Sequence, residues 1–196
     1  MGGDSSLSLG QSVVTWARGK IDQQVPPNGE CYDLADGALG EAKAKSARDY
    51  GKITPNANYV WGKVVALKDA QPGDILRFKN FKIHEYRKVV TVRKSEGSTT
   101  TSTANPESWS GRPHHTAIVE SNDGNGRFTI LEQNVQLTEE TEPVKYVVRN
   151  TLIWKSFSLP PDKQLTQGYG GASTETTTTV SYKIKGSVIA YRPQKK

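Results

Sequence analysis

The pattern of apolar positions divides the chain into a helical N-terminal part and a β-rich remainder. Five apolar residues recur at helical spacing and predict an amphipathic helix over residues 7–24 that Pro26 and Pro27 terminate. A second helix is predicted from Cys31 to Tyr50, because Gly51 follows it and apolar residues again share one side. The two apolar faces consist of Val13, Val14, Trp16, Ala17 and Ile21 in the first helix, and Leu34, Ala35, Ala38, Leu39 and Ala42 in the second.

The later segments are rich in β-branched residues and alternate as strands do. Extended segments are predicted over residues 59–67, 75–78, 84–94, 116–121, 128–134, 145–157 and 180–191. Residues 122–126 have the Gly and Asn content of a hairpin turn that joins two neighbouring strands. Helices followed by strands predict an α+β fold, with N-terminal helices packed on an antiparallel sheet of about five to seven strands.

Two polar segments interrupt the predicted strands. Residues 96–112 are rich in Ser and Thr, and residues 158–179 include the sequences GYGG and TETTTT. Both are predicted to be long surface loops.

Composition restricts the class of protein. The chain has 196 residues, 34% of them hydrophobic, with one cysteine. No apolar run approaches the roughly 18 residues of a membrane span, so an integral membrane protein is excluded. A single cysteine excludes a disulfide scaffold and a cysteine-rich zinc fold. Cys31 is therefore either an inert packing residue or a reactive group.

Positive charge is concentrated near the C-terminus. The formal net charge is +6, and residues 145–196 contain nine basic and two acidic residues. Such a surface favours contact with a polyanion, and the alternative is a solvated strand face. Because no aromatic residues interleave with the basic ones, nucleic-acid binding is the weaker hypothesis. The N-terminal residues lack the basic and apolar regions of a secretory signal.

Four residues suggest thiol chemistry. Cys31 begins a predicted helix, where the partial positive charge of the N-terminus stabilises a thiolate. His115 begins a strand, and Glu132 and Asn134 end its predicted hairpin partner, on one face of the sheet. A neighbouring imidazole can accept the thiol proton, and a carboxylate or amide can orient the imidazole. No metal site is predicted, since His114 and His115 point to opposite faces and no other ligands have zinc spacing.

Four segments in this order resemble the CHAP family, the cysteine- and histidine-dependent amidohydrolases/peptidases. They are Gly29-Glu30-Cys31, the segment QPGDILRF at residues 71–78, HTAIVE at residues 115–120, and Glu132-Gln133-Asn134. The resemblance covers about residues 8–136 and implies a papain-like fold. It also implies a single domain over residues 1–196, with a core over 8–136 and a basic, β-rich extension over 137–196.

The resemblance implies hydrolysis of peptide or amide bonds, typically in bacterial peptidoglycan, by a secreted or cell-wall-directed monomer without a cofactor. Cys31 would be the nucleophile and His115 the general base and acid, while Glu132 would orient the imidazole and Asn134 would support the same site. Trp109, His114 and Glu30 are the candidate substrate-binding residues. Gln23, Gln24 and Asn28 are alternative oxyanion donors. The family often has Gln where this chain has Glu30, and an adjacent carboxylate opposes thiolate formation. The alternative is therefore an inactive papain-like binding module that contacts wall polymer or a protein through its basic surface.

Overall fold

Two α-helices open the chain, and both are shorter than predicted. The computed structural model describes residues 8–54, 57–136 and 142–196. Helix α1 is Leu9–Arg18, and the Ser8 hydroxyl caps it by accepting from the Gln11 amide at 3.2 Å. Helix α2 is Cys31–Glu41. It ends early because Lys43 has a left-handed φ of 54°, and a short 3-10 turn follows at Ala47–Asp49.

The apolar helix faces predicted from the sequence form the core. Val13, Val14 and Ala17 of α1 and Leu34, Ala35, Ala38 and Leu39 of α2 are fully buried. The Trp16 ring packs so closely on α2 that a Cβ at Gly37 would lie 2.7 Å from its Cη2 atom. Glycine at this position therefore sets how closely the two helices approach.

An antiparallel sheet makes up most of the remaining structure. The described residues form nine strands: β1 Lys63–Val65, β2 Ile75–Ser95, β3 Ser98–Ala104, β4 Glu107–Gly124, β5 Arg127–Glu132, β6 Val148–Ile153, β7 Phe157–Ser158, β8 Asp162–Gln167 and β9 Ser173–Arg192. The strand order is β1-β9-β2-β4-β5-β6, with β3 on β2 and both β7 and β8 on β9. Helices and an antiparallel sheet are as predicted, but the strand number exceeds the expected five to seven.

The two predicted loops account for this difference. Residues 98–104 form β3, which pairs with β2 from Ser95↔Ser98 to Val89↔Ala104. Residues 162–167 form β8, which pairs with β9 from Asp162↔Thr178 to Gln167↔Ser173. The two loop predictions were wrong because they took polar composition as evidence of a loop. Thr is polar but β-branched, and it favours extended backbone even when exposed.

The chain divides into two compact units. The first contains residues up to Lys82, then Ser110–Trp154 and Lys185–Lys196, and the second contains Ile83–Trp109 and Lys155–Ile184. Strand β6 and the end of β9 belong to the first unit. Ile83 is the one buried residue of the second unit, all of whose residues are described, so the apolar core belongs to the first. Among the described residues, no helix is long and apolar enough to cross a membrane.

Candidate active site

Cys31 is the first residue of α2, as the sequence predicts. Glu30 is the N-cap, and the Asp33 carboxylate accepts from the Glu30 amide at 2.9 Å and from the Asn28 amide at 3.1 Å. This capping fixes the turn immediately before the thiol. Cys31 is partly exposed, so its sulfur lies at the border of core and solvent.

The hairpin of β4 and β5 brings His115 and Glu132 together. Ala117 is opposite Glu132, so His115, two residues earlier, lies on the same face of the sheet. His115 Nε2 is 3.0 Å from Glu132 Oε2, and both side chains are buried. A side-chain hydrogen bond also joins His115 to Cys31. Cys31, His115 and Glu132 therefore form one hydrogen-bonded chain.

The Cys31–His115 pair favours the charged state of both groups. Burial raises the pKa of the Cys31 thiol, but the hydrogen bond and charge of His115 and the backbone amide of Thr116 outweigh this, so the pKa is lowered. Burial lowers the pKa of His115, but Cys31 and Glu132 outweigh that and raise it to about 9. Both shifts favour the thiolate–imidazolium pair, which is the reactive state of a catalytic cysteine.

Glu132 has two partners that the sequence analysis missed. Burial alone would raise its pKa, but the Arg112 guanidinium and His115 hold it far below its usual range. Arg112 Nε donates to Glu132 Oε2 at 2.8 Å and Nη2 to Oε1 at 2.5 Å, and Asn150 Nδ2 donates to Oε1 at 2.8 Å. A buried carboxylate is stable only when a cation or hydrogen-bond donors compensate its charge. Arg112, three residues before His115, is a cation that the sequence offers for this purpose.

The Asn134 side chain bonds to Glu30 and not to the His115 imidazole. Its Nδ2 donates to Glu30 Oε2 at 2.5 Å, and Lys145 Nζ donates to Glu30 Oε1 at 2.7 Å. The charge of Glu30 raises the pKa of Cys31, although less than the other groups change it. Asn134 therefore contacts the site through the residue that precedes the thiol.

Gln133, between Glu132 and Asn134, holds the loop that carries the thiol. Its side chain is fully buried, and Oε1 accepts from the Val25 amide at 2.7 Å while Nε2 donates to the Glu30 carbonyl at 2.9 Å. This role was not predicted from the sequence. The sequence does indicate its direction, because Gln133 follows Glu132 directly and successive strand residues point to opposite faces.

The candidate oxyanion donors are in different places. Gln23 Nε2 donates to the Gly19 carbonyl at 3.3 Å, within the end of α1. The Gln24 side chain packs against Gly29, where an added Cβ would lie 2.9 Å from Gln24 Cγ and Cδ. Of the two glutamine side chains, that of Gln24 is therefore the one placed against the turn before Cys31.

The remaining predicted site residues have separate surroundings. His114 faces Ala57, with Nε2 2.9 Å from its carbonyl oxygen, and its ring meets the edge of Tyr59. It is therefore not the histidine bonded to Cys31. Trp109 belongs to the second unit and is 46% exposed, and its contact with substrate stays a prediction. Within the described residues, no three His, Cys, Asp or Glu side chains cluster as a metal site.

Comparison with known families agrees with this geometry at the level of the fold. The AIM3/BBC1 cysteine proteinase-fold domain family matches residues 4–152. No curated protein matches the chain by sequence. The family match confirms the papain-like cysteine proteinase fold but does not support the CHAP family specifically. Because it spans most of the chain and includes Cys31, His115 and Glu132, the protein belongs to the AIM3/BBC1 cysteine proteinase-fold domain family.

Proposed function

We propose that the protein is a cysteine hydrolase that cleaves peptide or amide bonds. The observation that carries this proposal is the hydrogen-bonded chain of Cys31, His115 and Glu132, with the thiol at a helix N-terminus. The family match supports the fold on which such sites occur. Since one fold can hold active and inactive members, the site argues for activity and the fold alone does not.

The first step forms an acyl-enzyme. The Cys31 thiolate attacks the carbonyl carbon, and the backbone N–H of Cys31 stabilises the oxyanion together with a second donor, for which Gln24 is the best-placed candidate. The His115 imidazolium then gives its Nδ1 proton to the leaving amine as the C–N bond breaks. The products of this step are a free amine and a thioester on Cys31.

The second step releases the acid. Neutral His115 removes a proton from water, the hydroxide attacks the thioester carbonyl, and the C–S bond breaks. The thiolate returns with the imidazolium beside it. Glu132 keeps Nε2 occupied throughout, so that Nδ1 always faces the sulfur.

The substrate proposed is a peptide or amide, and peptidoglycan is the form that the CHAP resemblance implies. Purified peptidoglycan and an unstructured protein are incubated separately with the enzyme, and the products are identified by mass spectrometry. Cleavage of either supports the hydrolase and defines the bond. No cleavage of any amide by a thiol that alkylates readily would contradict it.

Three substitutions test the proposed roles. Cys31→Ala and His115→Ala should each reduce turnover by about 10³-fold or more, because each removes a reacting group. Glu132→Gln should lose less, because an orienting residue does not react. Circular dichroism spectra of the variants must match the unsubstituted protein. A folded Cys31→Ala variant with full turnover would contradict the proposal.

An inactive binding module is the second candidate. The Glu30 carboxylate next to the thiol favours it, because this charge raises the pKa of Cys31. The ion pairs of the basic C-terminal residues count against this candidate, because they partly neutralise the surface that would contact a polyanion. The pairs are Lys145 with Glu30, Arg149 with Glu120 and Arg192 with Asp74. Binding of wall polymer that weakens with salt, without any cleavage, would support this candidate.

A further inference from the structure

Arg112 and His115 share the carboxylate of Glu132. Oε2 of Glu132 accepts from both Arg112 Nε and His115 Nε2, and Oε1 accepts from Arg112 Nη2 and Asn150 Nδ2. Arg112 is 6% exposed, and its guanidinium lies 5.8 Å from the centre of the Phe78 ring. The same ring is 5.9 Å from that of His115, so both cations pack on Phe78.

We infer that Arg112 is a positioning residue that neutralises Glu132, so that His115 meets a hydrogen-bond acceptor of little net charge. This inference rests on the proposed function and deepens it. With Arg112 and with the thiolate formed, the four groups are two cations and two anions, because the thiolate and carboxylate balance the imidazolium and guanidinium. Without Arg112, they carry one net negative charge.

The charge balance matters for proton transfer. An isolated carboxylate at 3.0 Å would bind the imidazolium so tightly that His115 would give its proton to a leaving amine only with difficulty. A carboxylate that is already paired keeps the ring oriented without this penalty. With Arg112 bound to it, Glu132 orients the imidazole as a neutral amide side chain at this position would.

Within the part of the chain that the structure describes, the charged and titratable groups that act on the pair come from several elements. His115 faces Cys31 from α2 and Glu132 from β5, and Arg112 is on its own strand. Cys31 also interacts electrostatically with Glu30 in the preceding turn and with Tyr59 in the loop before β1. Glu30 and Tyr59 are unchanged in all variants below, so a shift reports on Arg112 and Glu132.

The experiment measures the pH at which Cys31 becomes reactive. Because the chain has one cysteine, the rate of alkylation by iodoacetamide reports on this thiol alone. Removing a positive charge makes thiolate formation harder, so Arg112→Met should raise the midpoint by about one pH unit. Removing the negative charge in Glu132→Gln should lower it, and the double variant should return to within a few tenths of the original.

Two controls separate charge from structure. Arg112→Lys keeps the positive charge and should keep the midpoint. Arg18→Met breaks an Arg–Glu pair with Glu120, away from Cys31 and His115, and should also leave it unchanged. If Arg112→Met does not fold, the comparison is made between Glu132→Gln and the double variant, which differ only at residue 112. The inference then requires the higher alkylation midpoint in the double variant.

The outcomes distinguish this inference from the proposed function. Equal midpoints in variants that differ only at residue 112 would overturn the role of Arg112 and leave the hydrolase intact. A thiol that resists alkylation below pH 8.5 in the unsubstituted protein would overturn both. Opposite shifts in the single variants, cancelled in the double, would support the inference.

Discussion

At the scale of single residues, the pKa of the Cys31 thiol is lowered despite the carboxylate next to it in sequence. Glu30 opposes the thiolate, but Lys145 Nζ is 2.7 Å from its Oε1 and Asn134 bonds to its other oxygen. The Glu30 side chain is 45% exposed, so solvent also screens its charge. His115 and the Thr116 amide therefore outweigh it.

Glu30→Gln tests this balance. The substitution removes the opposing charge and keeps a side chain that can cap α2, so the pKa of Cys31 should fall by less than about half a unit, as expected for a screened charge. The pH dependence of iodoacetamide alkylation measures it. Lys145→Gln, which leaves Glu30 uncompensated, is the matched control and should move the midpoint upward. A rise in the Glu30→Gln variant would contradict this account.

The pH dependence of turnover follows from the same pair. Activity needs the thiolate, so it should rise with pH through the lowered pKa of Cys31. It also needs the imidazolium as acid for the leaving amine, so it should fall as pH rises through the His115 pKa of about 9. The pH profile of kcat/KM for the substrate that is cleaved should therefore be bell-shaped. A profile that still rises above pH 10 would show that the imidazolium is not the acid.

At the scale of elements, the end of β5 sends successive side chains in different directions. Glu132 faces His115, Gln133 holds the loop over residues 25–30, and Asn134, with a left-handed φ of 57°, turns to Glu30. Alternation along a strand explains the first two directions. One short segment therefore positions both the imidazole and the turn before the thiol.

Gln133→Ala should loosen that turn. It leaves the Val25 amide, which the side chain satisfies at 2.7 Å, without its partner, so stability should fall by about 1–3 kcal/mol. Turnover should fall as well, because the nucleophile is less well positioned. Asn122→Ala is the control, since Asn122 Nδ2 donates to the Lys68 and Ala70 carbonyls at 3.1 Å without contacting the site.

Urea unfolding and Cys31 alkylation measure the two effects. Both variants should be destabilised, but the alkylation rate of Cys31 should change only in Gln133→Ala. An equal change of reactivity in both would mean that loss of stability alone explains it.

At the scale of the whole molecule, burial is distributed unequally between the two compact units. Cys31, His115 and Glu132 lie in the first unit, which has fully buried apolar residues on α1, α2, β4 and β5. In the second unit, every residue of β3 and β8 is exposed. The second unit is held mainly by strand pairing, which contributes less to stability than a packed core.

Hydrogen exchange should reflect this difference. Amides of β5, where Phe128, Ile130 and Leu131 are fully buried, should exchange at least about 10²-fold more slowly than those of β8, because local opening is easier where few apolar contacts form. Exchange followed by mass spectrometry at peptide resolution measures the ratio. Comparable protection of the two strands would contradict it.

The sequence by itself determined the local parts of this protein. The helix start at Cys31, and the hairpin that aligns His115 with Glu132, follow from spacing, caps and a short turn, all within about 20 residues. Those features were sufficient to predict that the thiol, the imidazole and the carboxylate lie near one another, and their catalytic roles stay a prediction.

Tertiary structure alone decided the rest. Asn150 bonds to Glu132 through the register of β5 with β6, and Lys145 reaches Glu30 across 115 positions of sequence. Strand pairing likewise ordered the Thr-rich segments that polarity had assigned to loops. Such contacts depend on which strands become neighbours, and no local pattern encodes that, because a side chain carries charge and shape but not the identity of its distant partner.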